Sequence, residues 1–291
     1  MTFDHNAFLI IITGALIAIS CGLLGTFLIL RRMAMIGDAI SHAVLPGIVL
    51  AFLFSQQREG IAVIIGAGVL GIIATLIIDY LSTKIKLQHD ASIGVTFTWL
   101  FAIGIILITL FAGQIDLDQD CVLYGEIAYI PIDLWILPNG TIMGPRVLYV
   151  ALINVILVIF FIMYLFKELK ITSFDAEFAS SIGISTGIIN LSLMGMVSYT
   201  TVSSFEAVGA ILVLALLVVP PATAYLLTSN LKRMILYTLI IGVFTSLIGY
   251  YVAYYINGSI AGAMAGVSGI FLLFAIIYSN FAKRIIIFSK A

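Results

Sequence analysis

Nine long apolar stretches follow one another along the chain, near residues 8–30, 34–54, 61–80, 92–111, 144–166, 184–202, 206–228, 234–256 and 260–281. Each is about the twenty residues a helix needs to cross the hydrocarbon core of a bilayer. The runs break at short polar clusters: Arg31-Arg32, Gln56 to Gly60, Lys84 to Asp90, Lys167 to Lys170, Asn230 to Arg233, and Asn257-Gly258. This pattern predicts an all-α, polytopic membrane protein of about nine transmembrane helices, forming a single domain over residues 1–291. The Arg31-Arg32 break leaves room only for a very tight turn. If one of the first two segments is re-entrant, the count falls to eight.

Composition supports the same class. The chain is 63% hydrophobic and 9% charged, with a mean hydropathy of +1.24, whereas a soluble domain is about a quarter charged. The net charge of -1 comes with no basic stripe, which argues against nucleic acid as a partner. Cys21 lies in the first apolar run and Cys121 in a polar loop, so no structural disulfide is expected. The first positive charge is Arg31, so the opening apolar run lacks the basic flank of a secretory signal and is expected to stay as a helix.

Charge also orients the chain. With alternate loops on opposite sides, Arg31, Arg32, Lys84, Lys86, Lys167, Lys170, Lys232, Arg233, Lys283, Arg284 and Lys290 fall on one side, and only Arg58 and Arg146 on the other. The positive-inside rule makes the first side cytoplasmic, with the N-terminus outside and the C-terminus inside. The long loop from Gly113 to Gly144 then faces outward and carries Asp116, Asp118, Asp120, Glu126 and Asp133.

Within the second run, Asp38 and His42 are spaced by four residues, which puts a carboxylate and an imidazole on one helix face, one turn apart. Ionisable groups in hydrocarbon are costly and mark substrate or ion pathways. A hard oxygen and a nitrogen suit a divalent metal, while proton transfer and intramembrane chemistry are the competing uses. A purely packing role is the bland alternative, and Ser or Asn would serve it at less cost. Pro46 and Gly47 follow one turn later, where the proline frees a carbonyl beside the pair. One copy supplies two side-chain ligands, so a second copy, waters or carbonyls must complete a coordination shell of four to six.

Other positions are less decisive. Glu206 opens the segment Phe205 to Thr228, and an interfacial and a pathway position are equally compatible with it; Asp79 reads as interfacial. After Lys167-Glu168-Leu169-Lys170, the run Thr172-Ser-Phe-Asp175 fits a capping box, and Phe174, Phe178 and Ile182 recur at helical spacing before Gly183. This predicts a short amphipathic cytoplasmic helix that either rests on the membrane or docks a partner. Gly258, Gly262, Gly266 and Gly269 form a small-residue face suited to close helix packing. Pro220-Pro221 should kink or break the seventh span.

Absent motifs narrow the field. There is no G-x-x-x-x-G-K-[ST] loop for ATP and no His-Glu-x-x-His zinc motif. Met35-Ile-Gly-Asp38 lacks the first glycine of the intramembrane aspartyl protease signature, and a second membrane aspartate is not well placed.

The segment Arg31-Arg-Met-Ala-Met-Ile-Gly-Asp-Ala-Ile-Ser-His-Ala-Val-Leu-Pro-Gly47 resembles the hallmark of the metal-ion permease family of bacterial ABC transporters, the ABC-3 family. Cys121-Val-Leu-Tyr-Gly-Glu-Ile-Ala128, Ser173-Phe-Asp-Ala-Glu-Phe-Ala179 with Ile182-Gly183, and Glu206-Ala-Val-Gly-Ala-Ile-Leu-Val213 through Pro220-Pro-Ala-Thr-Ala224 fit the same family, in the same order. A double proline stands where the family usually has proline followed by alanine. The resemblance implies a non-enzymatic permease subunit in the bacterial cytoplasmic membrane, working as a homodimer. Its implied partners are separate cytoplasmic ATPase subunits and an extracellular lipid-anchored or periplasmic metal-binding protein. It further implies that Asp38 and His42 line the path, with Glu206 a further candidate. Phe174, Asp175, Glu177, Phe178, Ile182 and Gly183 would form the coupling helix seated in the ATPase. The D-A-I-S-H-A-V-L-P-G run is similar to the manganese and iron branch, so Mn²⁺ is the expected cargo, with Fe²⁺ or Zn²⁺ as the alternatives and an ion-coupled carrier as the more distant one. No resident cofactor is implied.

Overall fold

In lipid every backbone polar group must find its partner inside the chain, so apolar segments of this length fold as helices. The computed structural model describes residues 5–55, 61–111, 127–136 and 142–288. The helices are α1 (His5–Leu30), α2 (Ile36–Ala43), α3 (Leu45–Ser55), α4 (Ile61–Thr83), α5 (His89–Phe111), α6 (Arg146–Phe174), α7 (Ala176–Ser181), α8 (Thr186–Leu227), α9 (Leu231–Ile256) and α10 (Ile260–Phe288). Among the described residues, nine helical stretches are long and apolar enough to span a membrane. The fold is therefore the all-α, polytopic bundle the apolar pattern predicts. Its one departure is a small antiparallel hairpin, β1 (Leu134–Ile136) with β2 (Ile142–Pro145), preceded by a 3-10 turn over Ile127–Tyr129. The acidic positions Asp116, Asp118, Asp120 and Glu126, with Cys121, lie outside the described residues.

The core is organised around α1, which packs against α6, α8 and α9. Ile17, Leu24, Phe27 and Leu28 of α1 join Leu193, Met194, Leu212, Leu216 and Leu217 of α8 in one apolar cluster. Several of the buried polar side chains are small hydroxyls and an amide that find partners within their own helix or on a neighbouring one. Thr13 and Thr26 donate to carbonyls one turn back, and Asn154 of α6 accepts from Thr200 Oγ1 at 3.1 Å and reaches Ser204 Oγ at 3.5 Å in α8. Such contacts tie helices together where apolar side chains gain nothing over lipid.

The second apolar run holds two helices, α2 and α3, separated at Val44. Pro46 has no N–H to offer the His42 carbonyl four residues back, so the ladder is interrupted there; Gly47 N–H instead reaches the Val44 carbonyl at 2.9 Å.

The sixth and seventh runs do not meet at a loop. Helix α8 continues through 203–205, and its two segments join at Gly209, whose φ of 77° and ψ of 161° are open to glycine alone. The Ser and Thr residues around the gap between the two runs are buried in helix, with Thr201 and Ser203 bonded to carbonyls three or four residues back. Nor do Pro220 and Pro221 break the helix; Gly209 is the sole non-helical position within α8. Pro221 has no N–H to offer the Leu217 carbonyl, and α1 passes close against that carbonyl at Gly25, where a Cβ would collide with it.

The glycine face of α10 is not used within the chain. A Cβ at Gly266 or Gly269 would meet nothing within 4 Å, and at Gly262 only Ser259 of its own turn. Close packing falls instead at the crossing of α3 and α4. A Cβ at Gly66 would stand 2.6 Å from the Gly47 carbonyl oxygen and 2.7 Å from Ala51 Cβ. Gly66→Leu is expected to force these helices apart and destabilise the purified protein by about 1–3 kcal/mol. Gly68→Leu, where a Cβ meets nothing within 4 Å, is the control. Thermal unfolding in detergent reads the difference, and equal melting temperatures for the two variants would refute the close-crossing account.

Candidate functional site

Helix α2 has two unlike faces. Ile36, Ala39, Ile40 and Ala43 are at most 1% exposed and seat it against α5 and α8. Asp38 and His42 occupy the other face, with His42 Nε2 3.6 Å from Asp38 Oδ1. Their side chains remain 43% and 32% exposed, too open for a pair that merely locks helices together. The imidazole is held by two rings of α5, its centroid 5.9 Å from Phe97 and 5.4 Å from Phe101, the latter edge-on. That aromatic contact orients the ring without using either nitrogen. An oxygen and a nitrogen ligand are thus presented together toward the same open side.

By itself the pair offers only two side-chain donors. Among the described residues there is no group of three or more His, Cys, Asp or Glu that could hold a metal ion. The Glu206 backbone lies in α8, three residues before the Gly209 break; its side chain lies outside the described residues.

The predicted amphipathic helix is present as α7, six residues long. Asp175 is its N-cap and accepts the Phe178 N–H at 2.8 Å, while Glu177 places a second negative charge in the first turn, where the helix dipole favours it. At the other end Gly183 takes a φ of 85°, and the Gly183 and Ile184 N–H groups bond to the Ser180 and Ala179 carbonyls at 3.1 and 3.0 Å. The capping box opening at Thr172 does not form. Helix α6 runs on to Phe174, and the Thr172 hydroxyl bonds the Glu168 carbonyl instead. Ala179 is buried, whereas Phe174, Phe178 and Ile182 are 60%, 53% and 51% exposed. Three large apolar side chains, one on this short helix and one just beyond each of its ends, form a surface that water does not favour.

A connection between these two places was not legible from the motifs. Arg31, at the end of α1, donates from Nε to Ser173 Oγ at 3.0 Å, from one terminal nitrogen to Asn190 Oδ1 at 3.1 Å, and from the other to Thr172 Oγ1 at 2.7 Å. All three acceptors are neutral. Burial pushes the Arg31 guanidinium down to about 10, which leaves it charged at neutral pH. These bonds bring the end of α1, the end of α6 and the start of α8 together. A cavity of about 430 Å³ beside them is lined by Arg32, Asp79, Phe174 and Thr186 among others. The ends of α1 and α6, both assigned to one side by their basic residues, therefore meet at one end of the bundle.

The whole arrangement has known counterparts. The model of the ABC 3 transport family matches residues 4–279. The manganese transport system membrane protein MntD of Bacillus subtilis is 44% identical over 270 residues, covering 93% of this chain and 91% of that protein. The zinc transport system membrane protein TroD of Treponema pallidum is 39% identical over 274 residues, covering 92% of this chain and 72% of that protein. In solved structures, PsaBC from Streptococcus pneumoniae in complex with Fab superposes with a TM-score of 0.75 at 31% identity, covering 94% of this chain and 91% of the matched one. With nine spans, the Asp38–His42 face and a family match over almost its full length, the chain belongs to the ABC 3 transport family, as a membrane permease component.

Proposed function

We propose that this chain is the permease of an ATP-driven importer of a divalent transition metal, with Mn²⁺ as its substrate. The observation that carries the reading is the half-exposed Asp38–His42 pair inside a spanning segment. A carboxylate at that depth does not face lipid; it faces a water-filled path or another protein surface. A homodimer supplies both, since two copies across an axis would offer two oxygens and two nitrogens, a set within reach of the four to six ligands a transition metal takes. Carboxylate oxygen suits Mn²⁺, and the relative of highest identity named above carries manganese in its name. The zinc relative keeps Zn²⁺ as the second reading, supported by the imidazole.

Residues 1–291 act as one transmembrane permease domain. The end of the bundle carrying Arg31, Lys84, Lys167 and Lys232 faces the cytoplasm, and the C-terminus lies on that side. There Phe174, Asp175, Glu177, Phe178, Ile182 and Gly183 form the coupling helix, whose exposed aromatic side chains fill a groove of a separate ATPase subunit. On the opposite face a metal-binding protein delivers cation, drawn by the acidic loop that contains Asp116, Asp118 and Asp120. Metal exchanges water for Asp38 and His42, and ATP-driven movement of the ATPases switches access from one side to the other. Glu206 is a further candidate ligand, set beside the Gly209 break.

Elemental mass spectrometry of cells with and without this chain, grown under metal limitation, tests the reading. Deletion is expected to lower cellular manganese alone. Loss of zinc or iron instead would move the substrate within the same mechanism, and unchanged levels of all three would refute the importer.

A further inference from the structure

Arg31 stands between the two working parts of the molecule. On one side it grips Thr172 and Ser173, which immediately precede Phe174 and the cap of α7. Those hydroxyls are themselves fastened to α6, Thr172 Oγ1 donating to the Glu168 carbonyl at 2.7 Å and Ser173 Oγ to the Leu169 carbonyl at 2.6 Å. Their protons are committed to the helix, so each meets the guanidinium with a lone pair and follows any movement of α6. On the other side, Arg31 sits in a closed turn. Arg32 takes the left-handed conformation at φ 59°, its N–H bonds to the Ile29 carbonyl at 3.1 Å, and the Met33 N–H reaches the Leu28 carbonyl at 2.9 Å. The Ile36 N–H then bonds to the Met33 carbonyl at 3.1 Å and starts α2, so only six residues separate Arg31 from Asp38.

The helix so reached is short. It ends at Ala43, ahead of the Pro46 interruption, and can shift apart from α3. The partners of Arg31 are neutral, so sliding the guanidinium does not separate an ion pair, and the adjoining cavity of about 430 Å³ gives it room. We infer that Arg31 is the positioning residue that transmits movement of the ATPase-docking helix to Asp38 and His42, so that ATP hydrolysis and metal release stay coupled. This inference rests on the importer reading above.

The test uses the complete transporter, with its ATPase and binding protein, in proteoliposomes. Uptake of radioactive Mn²⁺ and ATP hydrolysis are measured together for wild type, R31Q, R31K and N190A. Arg31→Gln is expected to assemble and hydrolyse ATP within about twofold of wild type, while uptake per ATP falls about tenfold or more. Arg31→Lys, which keeps the charge but loses the planar fork, should lie between them. A wild-type ratio of uptake to ATP hydrolysis in R31Q would overturn the inference. If R31Q fails to assemble, N190A and R31K decide by the same ratio: a lowered value supports the role and a wild-type value overturns it. Absence of uptake by the wild-type complex would be a failure of the importer reading itself, distinguishable from failure of the coupling role.

Discussion

Asp38→Ala and His42→Ala are each expected to abolish metal uptake and to leave the permease folded and bound to the proposed ATPase. The expected loss is large because, in the proposed site, each change removes a group that would replace water around the ion. Substitutions one shell further out from a metal already lower affinity about 10- to 100-fold, so loss of a direct ligand should exceed roughly 100-fold. In the proposed homodimer every substitution would be made twice, and the shell would fall from four side-chain donors to two. The fold should not suffer. The pair is half-exposed on the face of α2 opposite Ile36, Ala39, Ile40 and Ala43, which are the residues that seat the helix. Removing a carboxylate from a spanning segment also relieves a burial cost. Radioactive Mn²⁺ uptake by the reconstituted transporter, with co-purified ATPase as the folding control, reads both expectations. Normal uptake by both variants would place the path elsewhere.

The second large effect is expected at the other end of the bundle. Phe178→Asp should release the ATPase from the detergent-purified complex. The Phe178 ring is 53% exposed in the free chain, although Asp175 and Gly183 hold its helix at both ends. A ring held out on a rigid element has little freedom to lose when a groove closes over it. Removing such an anchor from an interface typically costs about 2–4 kcal/mol, or roughly 30- to 1,000-fold in affinity, and an unpaired carboxylate in its place adds a desolvation penalty. Co-purification at wild-type stoichiometry would show that α7 lies at the membrane surface without docking. Since Asp175 is the cap, Asp175→Ala should give a milder version of the same loss, through fraying of the helix.

Much of this architecture was visible in the chain because hydropathy is additive along a segment. Nine runs of about twenty apolar residues left little choice of fold, and all nine appear. Asp38 and His42 were visible for the same reason, as ionisable groups where the background is apolar. What sequence reading missed depends on partners distant in the chain. The gap left between the sixth and seventh runs is buried helix, where Thr200 and Ser204 meet Asn154, 46 and 50 residues away. Pro220 and Pro221 looked like the break, yet the missing hydrogen bonds at a proline are local and can be absorbed, whereas the left-handed torsion at Gly209 cannot. Thr172 looked like a cap because its spacing to Asp175 fits one, and Arg31 claimed its hydroxyl from 141 residues away. Arg31 itself read as one of eleven basic residues marking a side. Nothing in its neighbours shows that it turns inward.

The tight turn after α1 also bears on how the chain enters the membrane. Span Ile36–Ser55 has a mean hydropathy of 1.8, against 2.6 for α1, and it carries an aspartate. On the scale that describes insertion by the translocon an aspartate opposes entry, and Asp38, in the first turn of the span, adds to the deficit in hydropathy. Alone, this segment is a poor candidate for insertion. Joined to α1 through hydrogen-bonded residues, it is expected to enter as the second arm of a helical hairpin, with the strongly apolar arm drawing in the weak one. Arg31 and Arg32 at the bend would then hold the hairpin to a single orientation from the first moments of synthesis.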